Sequence, residues 1–131
     1  MDHGKTGGVD VLIVEDDDDL RASQAEVLRS EGYSVVEAND SLVALAQLEH
    51  FDVASMIVDI YLPDVSGLWL LDQLENPPPV VLVTARDCDS EVAARRQKFF
   101  SYLQKPVRPA LLLDAVSRAL QLGERRARDQ R

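Results

Sequence analysis

Carboxylates, one hydroxyl and one ammonium stand at the ends of short apolar runs in this sequence. Val11-Leu12-Ile13-Val14 is followed by Glu15-Asp16-Asp17-Asp18-Asp19. Ala54-Ser55-Met56-Ile57-Val58 closes on Asp59, Val80-Val81-Leu82-Val83 closes on Thr84, and Tyr102-Leu103 leads through Gln104 to Lys105-Pro106. Carboxylates brought together repel, and their pKa values rise unless a cation intervenes. A few hard oxygen donors beside a phosphate favour Mg²⁺ over Zn²⁺ or Ca²⁺. The bland alternative is a solvated acidic loop that caps a helix, and it suffices for Asp18 and Asp19. It leaves Asp59, Thr84 and Lys105 at three other strand ends without an explanation.

The elements that must position these groups alternate regularly. The β-branched runs, with a further one at Tyr33-Ser34-Val35-Val36, are separated by stretches of helical spacing. Leu20, Val27 and Leu28 share one helical face; Leu42, Leu45 and Ala46 share a second; Leu68, Leu71 and Leu74 share a third; Leu111 to Leu122 is apolar at three-to-four spacing. Gly32, Asn76-Pro77-Pro78-Pro79 and Gly123 read as helix stops, and Pro109 as a first helical turn. A strand and a helix alternating five times, at this period, suit right-handed crossovers in a parallel α/β sheet covered by helices on both faces. In such a sheet ligands sit beyond the carboxyl ends of the strands, where the polar residues collect. Residues 1–8 read as a flexible arm, 9–122 as the domain, and 123–131 as a frayed helix end or the start of a linker.

Composition narrows the function. The 131 residues fit one domain with a real core. Fourteen Lys and Arg against 23 Asp and Glu leave a formal charge of −9, which argues against nucleic-acid binding because phosphates would be repelled. No apolar run approaches the ~18 residues of a membrane span. Met1-Asp2-His3-Gly4-Lys5 lacks the pattern of a secretory signal, and with Cys88 as the single cysteine no internal disulfide can form; a cytoplasmic home is expected. Gly4-Lys5-Thr6 echoes the end of a phosphate-binding loop but lacks the preceding glycine and strand. Cys88 has only Arg86 as a positive neighbour, which argues against a reactive thiol.

Val14-Glu15-Asp16, Asp59-Ile60-Tyr61-Leu62-Pro63-Asp64-Val65-Ser66-Gly67, Val83-Thr84-Ala85 and Tyr102-Leu103-Gln104-Lys105-Pro106, in this order, resemble the receiver domain of bacterial two-component response regulators over residues 9–122. The resemblance implies a flavodoxin-like five-stranded parallel sheet of order 2-1-3-4-5 with helices on both faces. It implies that Asp59 accepts a phosphoryl group from a sensor histidine kinase. Asp16, Asp59 and the main-chain carbonyl of Tyr61 would hold Mg²⁺ directly, and Glu15 through water. Lys105 would pair with the phosphoryl oxygens, Thr84 and the Ala85 amide would close on them, Tyr102 would be the switch aromatic, and the Lys105-Pro106 bond would be cis. The implied role is a switch that changes affinity for a downstream protein; the chain itself is not an enzyme beyond assisting its own phosphorylation and dephosphorylation.

The sequence departs from the family pattern in one stretch. Phe99-Phe100 stands where a small pair usually precedes the switch aromatic, and the span from Thr84 to Lys105 is about one residue short. Phe99, Phe100 and Tyr102 then either dock a downstream partner or simply fill a shortened core, and a homodimer stays open. Trp69 points away from the stripe of the third helix and reads as an outward contact residue. Ser23 and Gln24 interrupt the inward face of the first helix without an evident reason. Tyr61 and Arg86 flank the site; the resemblance implies that such side chains tune the access of water to the phosphoryl group. The competing function is a phosphorylation-independent pseudo-receiver adaptor that acts by protein contact. An aspartyl hydrolase would want a carboxylate where Tyr61 stands, and five consecutive acids oppose a flavin phosphate after the first strand.

Overall fold

The computed structural model describes residues 5–85 and 90–129. In chain order the elements are β1 (Gly8–Val9), β2 (Val11–Val14), α1 (Asp18–Ser30), β3 (Val35–Ala38), α2 (Ser41–His50), β4 (Asp52–Val53), β5 (Met56–Asp59), α3 (Gly67–Asp72), β6 (Val80–Thr84), α4 (Ser90–Ala93), β7 (Ser101–Gln104) and α5 (Pro109–Asp129). The main sheet runs β3-β2-β5-β6-β7 and every pairing is parallel. Counting its five strands in chain order, this is the expected 2-1-3-4-5 arrangement of a flavodoxin-like fold.

Alternation along the strands divides the core. Leu12, Val14, Met56, Val58, Val80 and Leu82 face α2, α3 and α4, where they meet Ala44, Leu68, Leu71 and Val92. Val11, Ile13, Ile57, Val81 and Val83 face α1 and α5, where they meet Ala25, Leu28, Leu112 and Val116. The central strands β2, β5 and β6 are buried on both faces, so they consist of continuous apolar runs and not of an alternating pattern. Asp17 caps α1, its side chain accepting from the Leu20 amide at 3.0 Å.

Several expectations change at the element ends. The arm over residues 1–8 is docked from Thr6 onward: the Thr6 amide donates to the His50 carbonyl at 2.8 Å, and β1 pairs with β4. Edge pairing satisfies backbone groups that a free arm would leave to water. Helix α5 passes Gly123 and continues to Asp129. A Cβ at Gly123 would meet the Ala54 carbonyl at 3.6 Å, an ordinary contact, and the backbone there is helical, so the glycine does not end the helix. The helix-favouring Glu124, Arg125, Arg126, Ala127 and Arg128 then carry it on.

Two helices also turn differently from their apolar pattern. The buried side of α2 is Ser41 and Ala44, with Leu45 and Leu48 partly buried, while Leu42 is 61% exposed. Small residues let α2 approach the sheet closely, and a face led by Leu42 would hold it off. Trp69 is not an outward residue: it packs half-buried on the α2-side core, because the short α3 leans on α2 as well as on the sheet. Among the described residues the fourth helix covers Ser90–Ala93 and is followed by turns through Lys98. Asp72 ties this segment back to α3 through Arg95 at 2.9 Å and Lys98 at 3.2 Å.

Leu82 is fully buried on a central strand. Leu82→Ala is expected to lower unfolding free energy by about 3 kcal/mol in urea titration. Arg118→Ala, which removes an exposed i,i+4 pair with Asp114, is expected to change it by less than about 0.5 kcal/mol.

Candidate functional site

Parallel order makes β2 and β5 neighbours, so the acids after β2 face Asp59 at the end of β5. One carboxylate oxygen from each of Glu15, Asp16 and Asp59 lies within 4.8 Å of the others. Glu15 and Asp59 are buried and Asp16 is exposed. Three hard oxygens at this spacing, open to solvent on one side, fit a small divalent cation that keeps part of its water shell.

Lys105 completes the cluster from β7. The β7 register carries the chain past Thr84, whose carbonyl accepts from the Lys105 amide at 2.7 Å. The Lys105-Pro106 peptide is cis. The Lys105 ammonium donates to Glu15 Oε1 at 2.7 Å and to Asp59 Oδ2 at 2.9 Å. The remaining carboxylate oxygens also have partners: the Asp17 amide donates to Glu15 Oε2 at 3.2 Å, and the Tyr61 amide to Asp59 Oδ1 at 3.0 Å.

One ammonium serves two buried carboxylates. Burial raises the Glu15 pKa to about 7, and the nearby Asp59 charge adds to the rise, against the hydrogen bond from Lys105. Burial alone would lower the Lys105 pKa, but its bonds to Glu15 and Asp59 raise it, so the residue is a cation. Glu15 therefore holds its proton to a higher pH than an ordinary carboxyl.

The other sequence-derived residues fall around this centre. Thr84 is fully buried at the end of β6, and Ala85 follows it, exposed. Tyr61 is 47% exposed on the loop after β5. Tyr102 lies on β7, half-buried against the α2-side core. Phe99 is buried in that same core, under the Arg96 guanidinium at 5.2 Å, and Phe100 packs half-buried against the opposite core. The pair thus spans both faces of the sheet at the start of β7, and Phe99 is not available as a docking surface. Arg86 and Cys88 lie outside the described residues.

Arg21 escaped the sequence reading, while Gly67 and Gln24, both singled out there, find their physical reason in the structure. Arg21 donates to the Glu15 carbonyl at 2.8 Å and also meets Asp18 and Glu37, fixing the turn that carries Asp16. Its i,i+3 spacing from Asp18 was a legible signal; its contact with Glu37 was not. Gly67 opens α3 directly against β5: a Cβ there would collide with the Asp59 carbonyl and stand 2.8 Å from Val58 Cγ1. Gln24 is buried and lines, with Ser23, a groove of about 430 Å³ between α1 and the start of α5, otherwise formed by Leu20, Val27, Val107 and Leu112 among others. The polar break in α1 thus faces this groove and not the sheet.

Glu15 binds its proton more tightly in the folded chain than in the unfolded one, where its pKa is 4.5. Metal-free stability contributed by this group is complete below pH 4.5 and is lost as pH rises through about 7. Glu15→Gln is expected to gain stability relative to the parent chain as pH rises across that window, measured by urea midpoints in EDTA at several pH values.

The family model of the response regulator receiver domain matches residues 11–117. A cyclic di-GMP phosphodiesterase of Thermotoga maritima is 34% identical over 84% of this chain and 30% of its own length. The sensory transduction protein RegX3 of Mycolicibacterium smegmatis is 33% identical over 86% of this chain and 51% of its own length. The chain thus spans about half of one of these curated relatives and less than a third of the other. Among solved structures, a response regulator receiver domain protein of Methanospirillum hungatei is 29% identical with a TM-score of 0.83, over 88% of this chain and 96% of that one. The clustered acids and the lysine at the ends of a 2-1-3-4-5 sheet, together with this match over most of the chain, place it in the receiver-domain family of two-component response regulators.

Proposed function

We propose that the chain is a phosphorylation-dependent switch in which Asp59 is the phosphoacceptor. The observation that carries this reading is the pairing of a buried Asp59 with Lys105 at 2.9 Å, beside the oxygens of Glu15 and Asp16. An Asp59 oxygen attacks phosphorus in line, the bond from phosphorus to an imidazole nitrogen of the sensor kinase breaks, and the electron pair leaves with that nitrogen. Asp16, Asp59 and the Tyr61 carbonyl would hold Mg²⁺, with Glu15 acting through water. The ion would offset charge on the phosphoryl oxygens.

Lys105 is released from Glu15 and Asp59 as the phosphoryl oxygens take over its hydrogen bonds. The Thr84 hydroxyl and the Ala85 amide close on the same oxygens, and Tyr102 on the adjacent strand follows Thr84. Phosphorylation then biases an existing two-state equilibrium and alters affinity for a downstream protein. The group is transferred to the chain itself, so the role is signalling and not turnover of a separate substrate. Among the described residues no helix is long and apolar enough to cross a membrane, and the reading places the domain in the cytoplasm with its kinase.

Incubation with acetyl phosphate and Mg²⁺, followed by intact-mass spectrometry, tests the reading. The parent chain is expected to gain one phosphoryl group, and Asp59→Asn or an excess of EDTA to abolish the gain. A parent chain that stays unmodified would leave only contact-based adaptor function.

A further inference from the structure

The loop leaving Asp59 is fastened at both ends of its excursion. At its base the Gly67 amide donates to the Ile60 carbonyl at 2.7 Å. At its far side Asp64 reaches helix α2: Oδ1 accepts from the Ser41 amide at 3.2 Å and Oδ2 from the Leu42 amide at 3.1 Å. The hydroxyl of Ser41, a fully buried residue, returns a bond to the Val65 carbonyl at 3.3 Å. Tyr61 lies between these two fastenings.

Helix α2 already has its own cap, Asp40, whose Oδ1 accepts from the Val43 amide at 2.8 Å. One acidic cap ordinarily suffices for a helix start. The second acid comes from 23 residues further along the chain, on the loop that follows the phosphoacceptor. Burial alone would raise the Asp64 pKa, but the amides of Val65, Ser41 and Leu42 hold it below the ordinary carboxylate range. The tether is therefore charged and intact at neutral pH.

We propose that Asp64 is a positioning residue for the metal site: by tying the loop to α2, it sets where the Tyr61 carbonyl stands relative to Glu15, Asp16 and Asp59. This rests on the metal reading above. Groups that orient a ligand from behind affect metal affinity without touching the ion. The tether also links the two ends energetically. Ordering the loop by ligation protects the first turn of α2, and loosening that turn weakens ligation by the same factor.

Calorimetric titration of the full chain with MgCl₂, paired with amide hydrogen exchange, tests this. Asp64→Ala is expected to raise the Mg²⁺ Kd about tenfold and to speed exchange over residues 60–66. Asp64→Asn, which keeps one acceptor, is expected to fall between it and the parent. Asp40→Ala removes the other cap of the same helix and is expected to lower Tm while keeping the parent Kd. If Asp64→Ala and Asp40→Ala leave Kd alike, Asp64 is a helix cap and nothing more, and the proposal is overturned. A parent chain that takes up no Mg²⁺ overturns the metal reading instead; exchange over residues 60–66 then still decides whether Asp64 holds the loop.

Discussion

Two buried carboxylates share one ammonium at the edge of a parallel sheet, and most of the molecule is arranged around that shortage of positive charge. Glu15 and Asp59 come from adjacent strands, while Lys105 comes from β7, with β6 between it and Asp59. Neighbouring strands are ~4.8 Å apart, so only a long, extensible side chain reaches across two of them. Lysine does so, and its compact charge can pass from one oxygen to another without the fixed planar geometry of arginine. With Asp16 beside them, three carboxylates formally face one ammonium, and this deficit of positive charge favours a divalent cation or a proton held by Glu15.

Such a site opposes folding, and the cores on both sides of the sheet must offset it. The continuous apolar strands β2, β5 and β6 bury side chains on both faces and set the register of the polar residues at their ends. A slip of one residue would turn Asp59 into the core and an apolar neighbour into the site. Around this frame local devices hold single groups: Arg21 on the Glu15 carbonyl, Gly67 in the space against Asp59, and the Asp17 cap that turns the acidic run into a helix start.

The side opposite α1 and α5 is closed by α3 and by the segment from α4 to β7. Phe99 lies in the same core cluster as Val92, ahead of β7. Asp72, Arg95 and Lys98 stitch this segment to α3 with partly exposed ion pairs. Such pairs contribute little stability individually but restrict the segment geometrically. Tyr102, beside this stretch, is held half-buried.

The amino-acid sequence alone determined the strand-and-helix order, the parallel sheet and the polar residues at the strand ends. Each depends on local signals: apolar runs, helical spacing and the residue that ends a run. The sequence could not say which face of α2 turns inward, that Trp69 is half-buried, that Phe99 fills the core, or that α5 runs past Gly123. Those outcomes depend on what lies across the packing gap, such as the room that Ser41 and Ala44 leave between α2 and the sheet. Nor could it join Asp64 to Ser41, or Arg21 to Glu37. Hydrogen bonds between segments far apart in the chain carry no periodicity, and only the assembled sheet brings their partners within reach.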